Sequence, residues 1–163
     1  MAAGESVAGY GLPADGAEIA ALIQARVRDV ADYPQPGVMF KDITPLLADG
    51  AALAAVVTAL SSGHAGVDKV AGIEARGFIL AAPVAYHLNT GFVPMRKKGK
   101  LPYRTFESSY ALEYGTATLE VHRDAFAPGD RVLVVDDVLA TGGTAAAATN
   151  LVAQGGGTVA GLS

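Results

Sequence analysis

The sequence predicts an α/β fold in which a central, mostly parallel sheet is flanked by helices. The first observation behind this prediction is the unbroken apolar run Val132 to Val135, typical of a strand covered on both faces. A glycine-containing turn and four consecutive alanines, which are strong helix formers, follow it. The second observation is that Val67 to Ile73 and Phe78 to Leu88 repeat the order of strand, glycine turn and helix. A chain of 163 residues, 51% of them hydrophobic, suffices for one domain with a full core.

The N-terminal third is predicted to hold two helices around an irregular segment. Residues 1–16, rich in Gly, Ala and Pro, are predicted to be a flexible leader, and residues 17–30 an amphipathic helix. Residues 32–47 contain three prolines and are predicted to form an ordered loop, and residues 51–60 a second helix. Phe40 in the loop offers a face on which a purine could stack, although the segment alone favours a core anchor.

A basic segment precedes the last strands. Five of the twelve Lys and Arg residues lie within nine positions, and residues 96–114 are predicted to form a mobile loop that runs into a hairpin around Gly115. The basic side chains could contact a polyphosphate or simply form a solvated loop. A further strand is predicted to begin within residues 155–163. The five basic residues are Arg96, Lys97, Lys98, Lys100 and Arg104.

The turn after the apolar run has the composition of a phosphate site, which we call the cradle, residues Ala140 to Thr144. Gly142 and Gly143 allow positive φ and close approach of N–H groups to an anion, and Thr144 is placed to cap the first helical turn. The Gly-Lys-Ser/Thr ending of a triphosphate loop and the G-x-G-x-x-G spacing of a dinucleotide turn are both lacking. The sequence therefore predicts a phosphate monoester as the ligand.

Two acids and an arginine are predicted to lie beside the cradle. Asp136 and Asp137 follow the strand at the carboxyl edge of the sheet, where open α/β sheets bind ligands. If the alternation of a strand continued, their side chains would point in different directions. They suit the hydroxyls of a sugar or a divalent cation, or they merely end the strand. Arg76, at the other strand-to-helix turn, could bind an anion bidentately or pair with a nearby carboxylate.

Composition excludes several classes of function. A net charge of −4 and a pI near 5.2 argue against a general binder of nucleic acid or membrane surfaces. The absence of cysteine excludes disulfides and thiolate metal sites and agrees with a reducing cytosol. The N-terminus lacks the pattern of a secretory signal, and the longest apolar run, residues 78–86, is too short to span a bilayer. The sequence predicts a soluble, cytoplasmic protein.

The stretch VLVVDDVLATGGT resembles the 5-phosphoribosyl-1-pyrophosphate (PRPP) motif of the type I phosphoribosyltransferases. Further stretches, YPQPGVMFKDITPLL, GIEARGF and PMRKKGKLPYRTFESSYALEYG, resemble one branch of that family, the adenine phosphoribosyltransferases. The resemblance covers most of residues 32–151. It implies the type I fold with a small N-terminal hood, in which residues 32–47 bind the base, and a mobile catalytic loop. Because that family continues with further strand residues, the chain ending at Ser163 is expected to leave the edge of the sheet incomplete.

The resemblance also implies an activity: adenine and PRPP give AMP and pyrophosphate, with Mg²⁺ held through PRPP and water and not directly by protein side chains. It further implies a homodimer that binds neither nucleic acid nor membranes. Two alternatives remain open at this point. One is a phosphoribosyltransferase for xanthine, guanine or hypoxanthine, and the other is a PRPP-sensing regulatory protein that binds DNA or RNA.

The roles of individual residues follow from the resemblance alone. Glu113 corresponds to the acid or base near the purine, and it is expected to act with Arg76 and Lys100 in catalysis. The pyrophosphate turn of the family carries a cis peptide, which here would join Glu74 to Ala75. The remaining assignments are the 5-phosphate to Ala140, Thr141, Gly142, Gly143 and Thr144; ribose to Asp136 and Asp137; adenine to Met39, Phe40 and Lys41; and pyrophosphate to Glu74, Ala75, Arg76, Arg96, Lys97 and Lys100, one or more of the last three reaching a neighbouring subunit.

Overall fold

The structure, a computed structural model, describes residues 16–111 and 115–163. The chain divides into two compact units, one ending at Ala59 and the other running from Leu60 to Ser163. The single domain predicted from the sequence stays a prediction. The first unit contains α1 Gly16–Gln24, β1 Arg28–Ala31, β2 Met39–Asp42, α2 Thr44–Ala48 and most of α3 Gly50–Ser61.

The structure of the first unit corrects the prediction for residues 17–30. The helix predicted over residues 17–30 ends at Gln24, and Arg28–Ala31 instead forms an antiparallel pair with Met39–Asp42. Salt bridges from Arg28 to Asp42 (3.0 Å) and from Lys41 to Asp29 (2.6 Å) join the two strands. Cross-strand pairing therefore overrides the apolar spacing that favoured a helix.

The segment 32–47 is more regular than predicted. It was expected to be an ordered loop, but it contains β2 and the start of α2, in which Pro45 lies in the first turn. Proline is tolerated there because the N–H groups of the first turn have no acceptor within the helix. The prolines at positions 34 and 36 lie before β2, so they interrupt neither element.

The second unit is built on one six-stranded sheet with the order β5, β6, β4, β3, β7, β8. Strands β4, β3, β7 and β8 are parallel, and the hairpin β5–β6 is added antiparallel to β4. The predicted mostly parallel sheet flanked by helices is confirmed. The elements are β3 Lys69–Ile73, α4 Arg76–His87, β4 Gly91–Lys97, β5 Thr105–Ala111, β6 Thr116–His122, β7 Arg131–Val135, α5 Gly143–Gln154 and β8 Thr158–Leu162.

Helices cover both faces of this sheet. Ala71 and Ile73 face a buried cluster that includes Ala147 and Leu151 of α5. Gly72 faces α4, where a Cβ built on it would lie 2.7 Å from the Cβ of Ala81. The predicted strand Val132 to Val135 is confirmed as the buried strand β7, whose interior residues are at most 2% exposed. Burial on both faces is what its unbroken apolar run requires.

The basic segment is less loop-like than predicted. Strand β4 extends to Lys97, and β5 already begins at Thr105, so residues 98–104 alone form the connection. The hairpin, for which the sequence predicts strands over residues 110–114 and 116–121, is confirmed, with Ala111 paired to Thr116. Its first strand starts at Thr105, five residues earlier than this prediction. Every residue of β5 pairs with a residue of β6, and most residues of β5 remain partly exposed. This cross-strand pairing makes a strand of residues whose composition had indicated a loop. Among the described residues, no helix is both long and apolar enough to cross a bilayer.

Candidate active site

The cradle lies between β7 and α5, as its sequence predicts. Gly142 has φ +81° and is the N-cap of α5, so the expected cap at Thr144 is wrong, and Thr144 lies inside the first turn. A left-handed φ strongly favours glycine at this position. No side-chain hydrogen bond caps this helix in the described structure. The N–H groups of its first turn therefore point toward the space before the helix, which favours an anion there.

A cavity of about 870 Å³ opens in front of the cradle, within the second unit. Its volume lies in the range of small-molecule sites. Gly143 lies close to the hairpin, since a Cβ built on it would be 3.2 Å from the carbonyl oxygen of Ala111. The lining residues are Leu60, Ile73, Tyr110, Val134, Asp136, Asp137, Val138, Leu139, Ala140, Thr141, Gly142, Thr144, Ala145, Leu162 and Ser163.

Asp136 and Asp137 both line this cavity, and the predicted difference in direction between their side chains stays a prediction. Strand β7 ends at Val135, and the alternation of a strand no longer applies beyond it. Asp136 Oδ1 accepts the N–H of Asp137 at 2.9 Å and lies against the start of α4, where a Cβ on Gly77 would be only 2.8 Å away. Glycine at position 77 thus makes room for the Asp136 carboxyl.

The two acids differ in their electrostatic surroundings. Burial, with a smaller contribution from the charge of Asp137, raises the pKa of Asp136 to about 6. Asp137 forms a salt bridge of 2.7 Å to Arg76 Nη2, and its side chain is 7% exposed. One acid is therefore held partly protonated near neutral pH, while the other has a cationic partner.

Arg76 links the cradle to the second strand-to-helix turn. It begins α4, directly after β3 and the residues Glu74 and Ala75. The peptide between Glu74 and Ala75 is cis, as the resemblance implied. Of the two readings of Arg76, pairing with a nearby carboxylate is observed, in the salt bridge to Asp137. The turn that follows β3 and the acid pair are thus joined in this structure.

A basic cluster, defined as Arg96, Lys97 and Lys100, surrounds the carboxylate of Glu74, whose side chain is 7% exposed. Glu74 Oε2 accepts the backbone N–H of Lys97 at 2.9 Å and the Arg96 Nε–H at 3.3 Å, and Oε1 accepts from the Lys100 ammonium. Burial alone would raise the pKa of Glu74, but the Lys100 and Lys97 hydrogen bonds and the cationic charges outweigh it, so the pKa is lowered. The carboxylate holds three predicted pyrophosphate residues in one place.

Comparison with known proteins identifies the family. The model of the phosphoribosyl transferase domain matches residues 40–162. The adenine phosphoribosyltransferase of Acidothermus cellulolyticus is 71% identical over 149 residues, which cover 90% of this chain and 84% of the relative. That of Thermobifida fusca is 61% identical over 148 residues, with 90% and 84% covered. The chain belongs to the adenine phosphoribosyltransferase family.

Solved structures of the family agree with this fold. The crystal structure of adenine phosphoribosyltransferase from Rhodothermus marinus superposes with a TM-score of 0.85 at 51% identity, covering 91% of this chain and 85% of that chain. The enzyme from Saccharomyces cerevisiae, complexed with an imino-altritol bisphosphate and adenine, gives a TM-score of 0.84 at 32% identity, covering 90% and 86%. The type I fold implied by the resemblance is confirmed.

The remaining predicted residues are those of the adenine segment and Glu113. Met39, Phe40 and Lys41 are on β2 in the first unit, where Phe40 is half-buried and contacts Tyr33 edge-on with ring centroids 5.1 Å apart. The adenine role of these family positions stays a prediction. Glu113, the predicted acid or base, lies outside the described residues.

Two residues near the site were missed by sequence reasoning. Tyr110 lines the cavity and packs on the core, but its sequence position marks it only as part of a strand. Glu120 is 3% exposed and binds the turn that carries Lys100. Alternation in β6 placed it on the polar side of the hairpin, so nothing in the sequence indicated a buried carboxylate.

Proposed function

We propose that this chain transfers the 5-phosphoribosyl group of PRPP to adenine, giving AMP and pyrophosphate. Membership of the adenine phosphoribosyltransferase family is the observation that carries this proposal. The geometry supports it because the cavity combines a helix N-terminus for a phosphate with two carboxyl groups suited to the hydroxyls of a ribose. The relatives are named for adenine, and the cradle by itself does not select the base.

The cradle and the acid pair would hold the ribose 5-phosphate end of PRPP. The N–H groups at the start of α5 and the hydroxyls of Thr141 and Thr144 would donate to the 5-phosphate. Asp137 would accept a ribose hydroxyl in exchange for part of its contact with Arg76, which lies 2.7 Å away. The released guanidinium would then be positioned for the pyrophosphate, to which it can donate two hydrogen bonds.

The basic cluster would bind and stabilise the leaving group. Displacement at the ribose C1 develops positive charge on the sugar and negative charge on the departing pyrophosphate, as in glycoside cleavage. Arg96 and Lys100 supply cationic groups whose positions are set in advance by Glu74, so little reorganisation is needed as the charge develops. The acids near the ribose would stabilise the opposite charge on the sugar ring.

Glu113 would move the proton that adenine must lose when its N9 attacks C1. A positioned carboxylate can contribute roughly 100- to 10,000-fold in such a step. Replacing Glu113 with Gln should therefore lower turnover more than it weakens PRPP binding.

Mg²⁺ would enter with PRPP. The described residues contain no group of three or more His, Cys, Asp or Glu that could hold a metal ion. Asp137, which lines the cavity, is already paired with Arg76. Diphosphate oxygens and water fit the ligand preferences of Mg²⁺ better than this protein surface does. When bound, the ion would neutralise charge on the pyrophosphate.

A base panel tests the proposal. Purified protein with PRPP and Mg²⁺ is mixed separately with adenine, hypoxanthine, guanine and xanthine, and nucleotide formation is followed by chromatography. We expect AMP from adenine and little product from the other bases. Turnover only with an oxopurine would identify a phosphoribosyltransferase of different specificity. Binding of PRPP without turnover of any base would favour the regulatory alternative.

We further propose a cytoplasmic homodimer. The absence of cysteine and the acidic net charge of −4 support a cytosolic protein without a nucleic-acid role. Sedimentation of the purified chain at micromolar concentration measures the assembly, and a monomer with full activity would contradict it.

A further inference from the structure

Glu120 is a charged residue in an unusual position. It lies on β6, opposite Arg96 of β4 and Glu107 of β5, and it is 3% exposed. Within the described parts of the chain, no other charged residue is buried to this degree. Burial of a carboxylate is costly unless hydrogen bonds satisfy it, so its partners indicate what it does.

The partners of Glu120 are two backbone N–H groups in the connection between β4 and β5, residues 98–104. Its Oε1 atom accepts the N–H of Lys100 and the N–H of Leu101, each at 2.8 Å. Gly99, immediately before them, has φ +84° and lets the chain reverse toward the carboxylate. Arg96 Nη1 donates to the carbonyl of Lys100 at 3.2 Å. Both peptide groups that flank Lys100 are therefore fixed.

Fixing these peptides sets the place and direction in which the Lys100 side chain leaves the backbone. The ammonium of Lys100 reaches Glu74 beside the pyrophosphate turn, and Arg96 reaches the other oxygen of the same carboxylate. A lysine on an unanchored loop would sample many positions, and ordering it on binding would reduce affinity. The buried carboxylate removes that freedom before a ligand arrives.

We propose that Glu120 is a positioning residue that holds the backbone of Lys100 in register with the Glu74 turn, so that Lys100 meets the pyrophosphate group without prior ordering of the loop. The inference rests on the proposed function only in identifying the ligand of Lys100 as pyrophosphate. Glu120 does not itself touch the substrate in this arrangement. It acts through two N–H groups on one side of the turn.

The sign of one measurement separates positioning from simple electrostatics. Glu120→Gln removes a negative charge near an anion site, and Coulomb's law alone predicts tighter binding of pyrophosphate. Positioning predicts weaker binding, because Gln is a poorer acceptor for the two N–H groups and its amide group brings donors that have no partner there.

The matched control is Glu107→Gln. Glu107 lies directly opposite Glu120 in the hairpin, carries the same charge and pairs with Lys98 at 2.7 Å, but its side chain is 42% exposed. Titration calorimetry with pyrophosphate and with ribose 5-phosphate should show that Glu120→Gln weakens pyrophosphate roughly tenfold and leaves ribose 5-phosphate unchanged. Glu107→Gln should change neither by more than about twofold.

Amide hydrogen exchange tests the anchor without any ligand. We expect the Lys100 and Leu101 amides to be protected in the wild type and to lose at least roughly tenfold of that protection in Glu120→Gln. Lys100→Ala keeps the backbone contacts, so its amides at 100 and 101 should stay protected while pyrophosphate binding weakens. If Glu120→Gln unfolds, Glu120→Asp, which retains the charge but shortens the reach, replaces it.

Three results would overturn the inference: unchanged exchange at positions 100 and 101, tighter pyrophosphate binding in Glu120→Gln, or equal loss of ribose 5-phosphate and pyrophosphate binding. A wild type that binds neither ligand would contradict the proposed function instead. The exchange data would then still decide whether Glu120 holds the turn.

Discussion

The cradle and the basic cluster would bind phosphate groups of the same substrate, yet they are built in opposite ways. The cradle is a contiguous stretch in which the backbone supplies the donors, between a buried strand and the helix that begins at Gly143. The basic cluster is gathered around Glu74 through the side chains of Arg96 and Lys100 and the backbone N–H of Lys97. Its turn is held by Glu120 from a third segment. One depends on local conformation and the other on tertiary packing.

This difference indicates how the two regions respond to change. A backbone site tolerates loss of side chains but depends on glycine conformation and on the space around it. A side-chain site depends on its counter-charges, and each contact can be altered separately. The salt bridge between Arg76 and Asp137 connects the segments beside the two regions, because Asp137 precedes the cradle and Arg76 follows the turn of Glu74.

The largest effect should come from Gly77→Ala, a change in α4 that displaces the acids beside the cradle. The new Cβ would lie 2.8 Å from Asp136 Oδ1 and 3.0 Å from the carbonyl oxygen of Val135, so the acid pair must shift. We expect kcat/KM for PRPP to fall roughly 100-fold, since displacements near 1 Å can cost that much. Gly50→Ala, where nothing lies within 4 Å of the added Cβ, is the control and should behave as the wild type. Normal kinetics in Gly77→Ala would show that the acid pair tolerates displacement.

Asp137→Asn breaks the contact between the two regions. It removes the charged partner of Arg76 and the carboxylate proposed to accept a ribose hydroxyl, so ribose 5-phosphate binding should weaken roughly tenfold. Pyrophosphate binding should not weaken, because Arg76 loses a competing carboxylate. Calorimetry with each ligand measures the split, and parallel losses for both would mean that Asp137 serves the structure of the whole site.

Glu74→Gln tests the basic cluster and leaves the cradle unchanged. It removes the carboxylate that sets the positions of Arg96 and Lys100, so pyrophosphate should bind a few-fold more weakly and leave faster. Ribose 5-phosphate binding should be unchanged, because Glu74 does not line the cavity. Product-release rates from single-turnover and steady-state kinetics would detect the change. Tighter pyrophosphate binding would instead show that Glu74 acts mainly as an anion that competes for Arg96 and Lys100.

The same contrast explains what the sequence could reveal. The cradle, strand β7 and the turn at Arg76 follow from apolar runs, glycines and helix formers that are adjacent in the chain. The contacts of Glu74 and Glu120 join residues 19 to 26 positions apart, and no local pattern encodes them. The strand Arg28–Ala31 was missed for a related reason, since its partner Met39–Asp42 lies across a proline-rich turn. The cis peptide between Glu74 and Ala75 could be predicted only from the resemblance to the family.

The smallest effect concerns the proton on Asp136. Burial raises its pKa in the folded protein to about 6, above the ordinary value of 3.8 in the unfolded chain. Between these two values the folded state holds more of the proton, so this group destabilises the fold progressively as pH rises from about 4 to 6, and fully above that. Two pKa units correspond to at most about 3 kcal/mol, and contact with the open cavity reduces this to about 1 kcal/mol.

Asp136→Asn should therefore stabilise the protein by about 1 kcal/mol at pH 8 and by nothing at pH 4, where the native carboxyl is protonated in the folded state. Urea unfolding of wild type and variant across this pH range gives the difference directly. Asp124→Asn, which also removes one negative charge but from an exposed position, is the control and should show no such difference between pH 4 and pH 8. A variant with the same advantage at both pH values would show that Asn packs better than Asp against Gly77, and that the proton has no part in it.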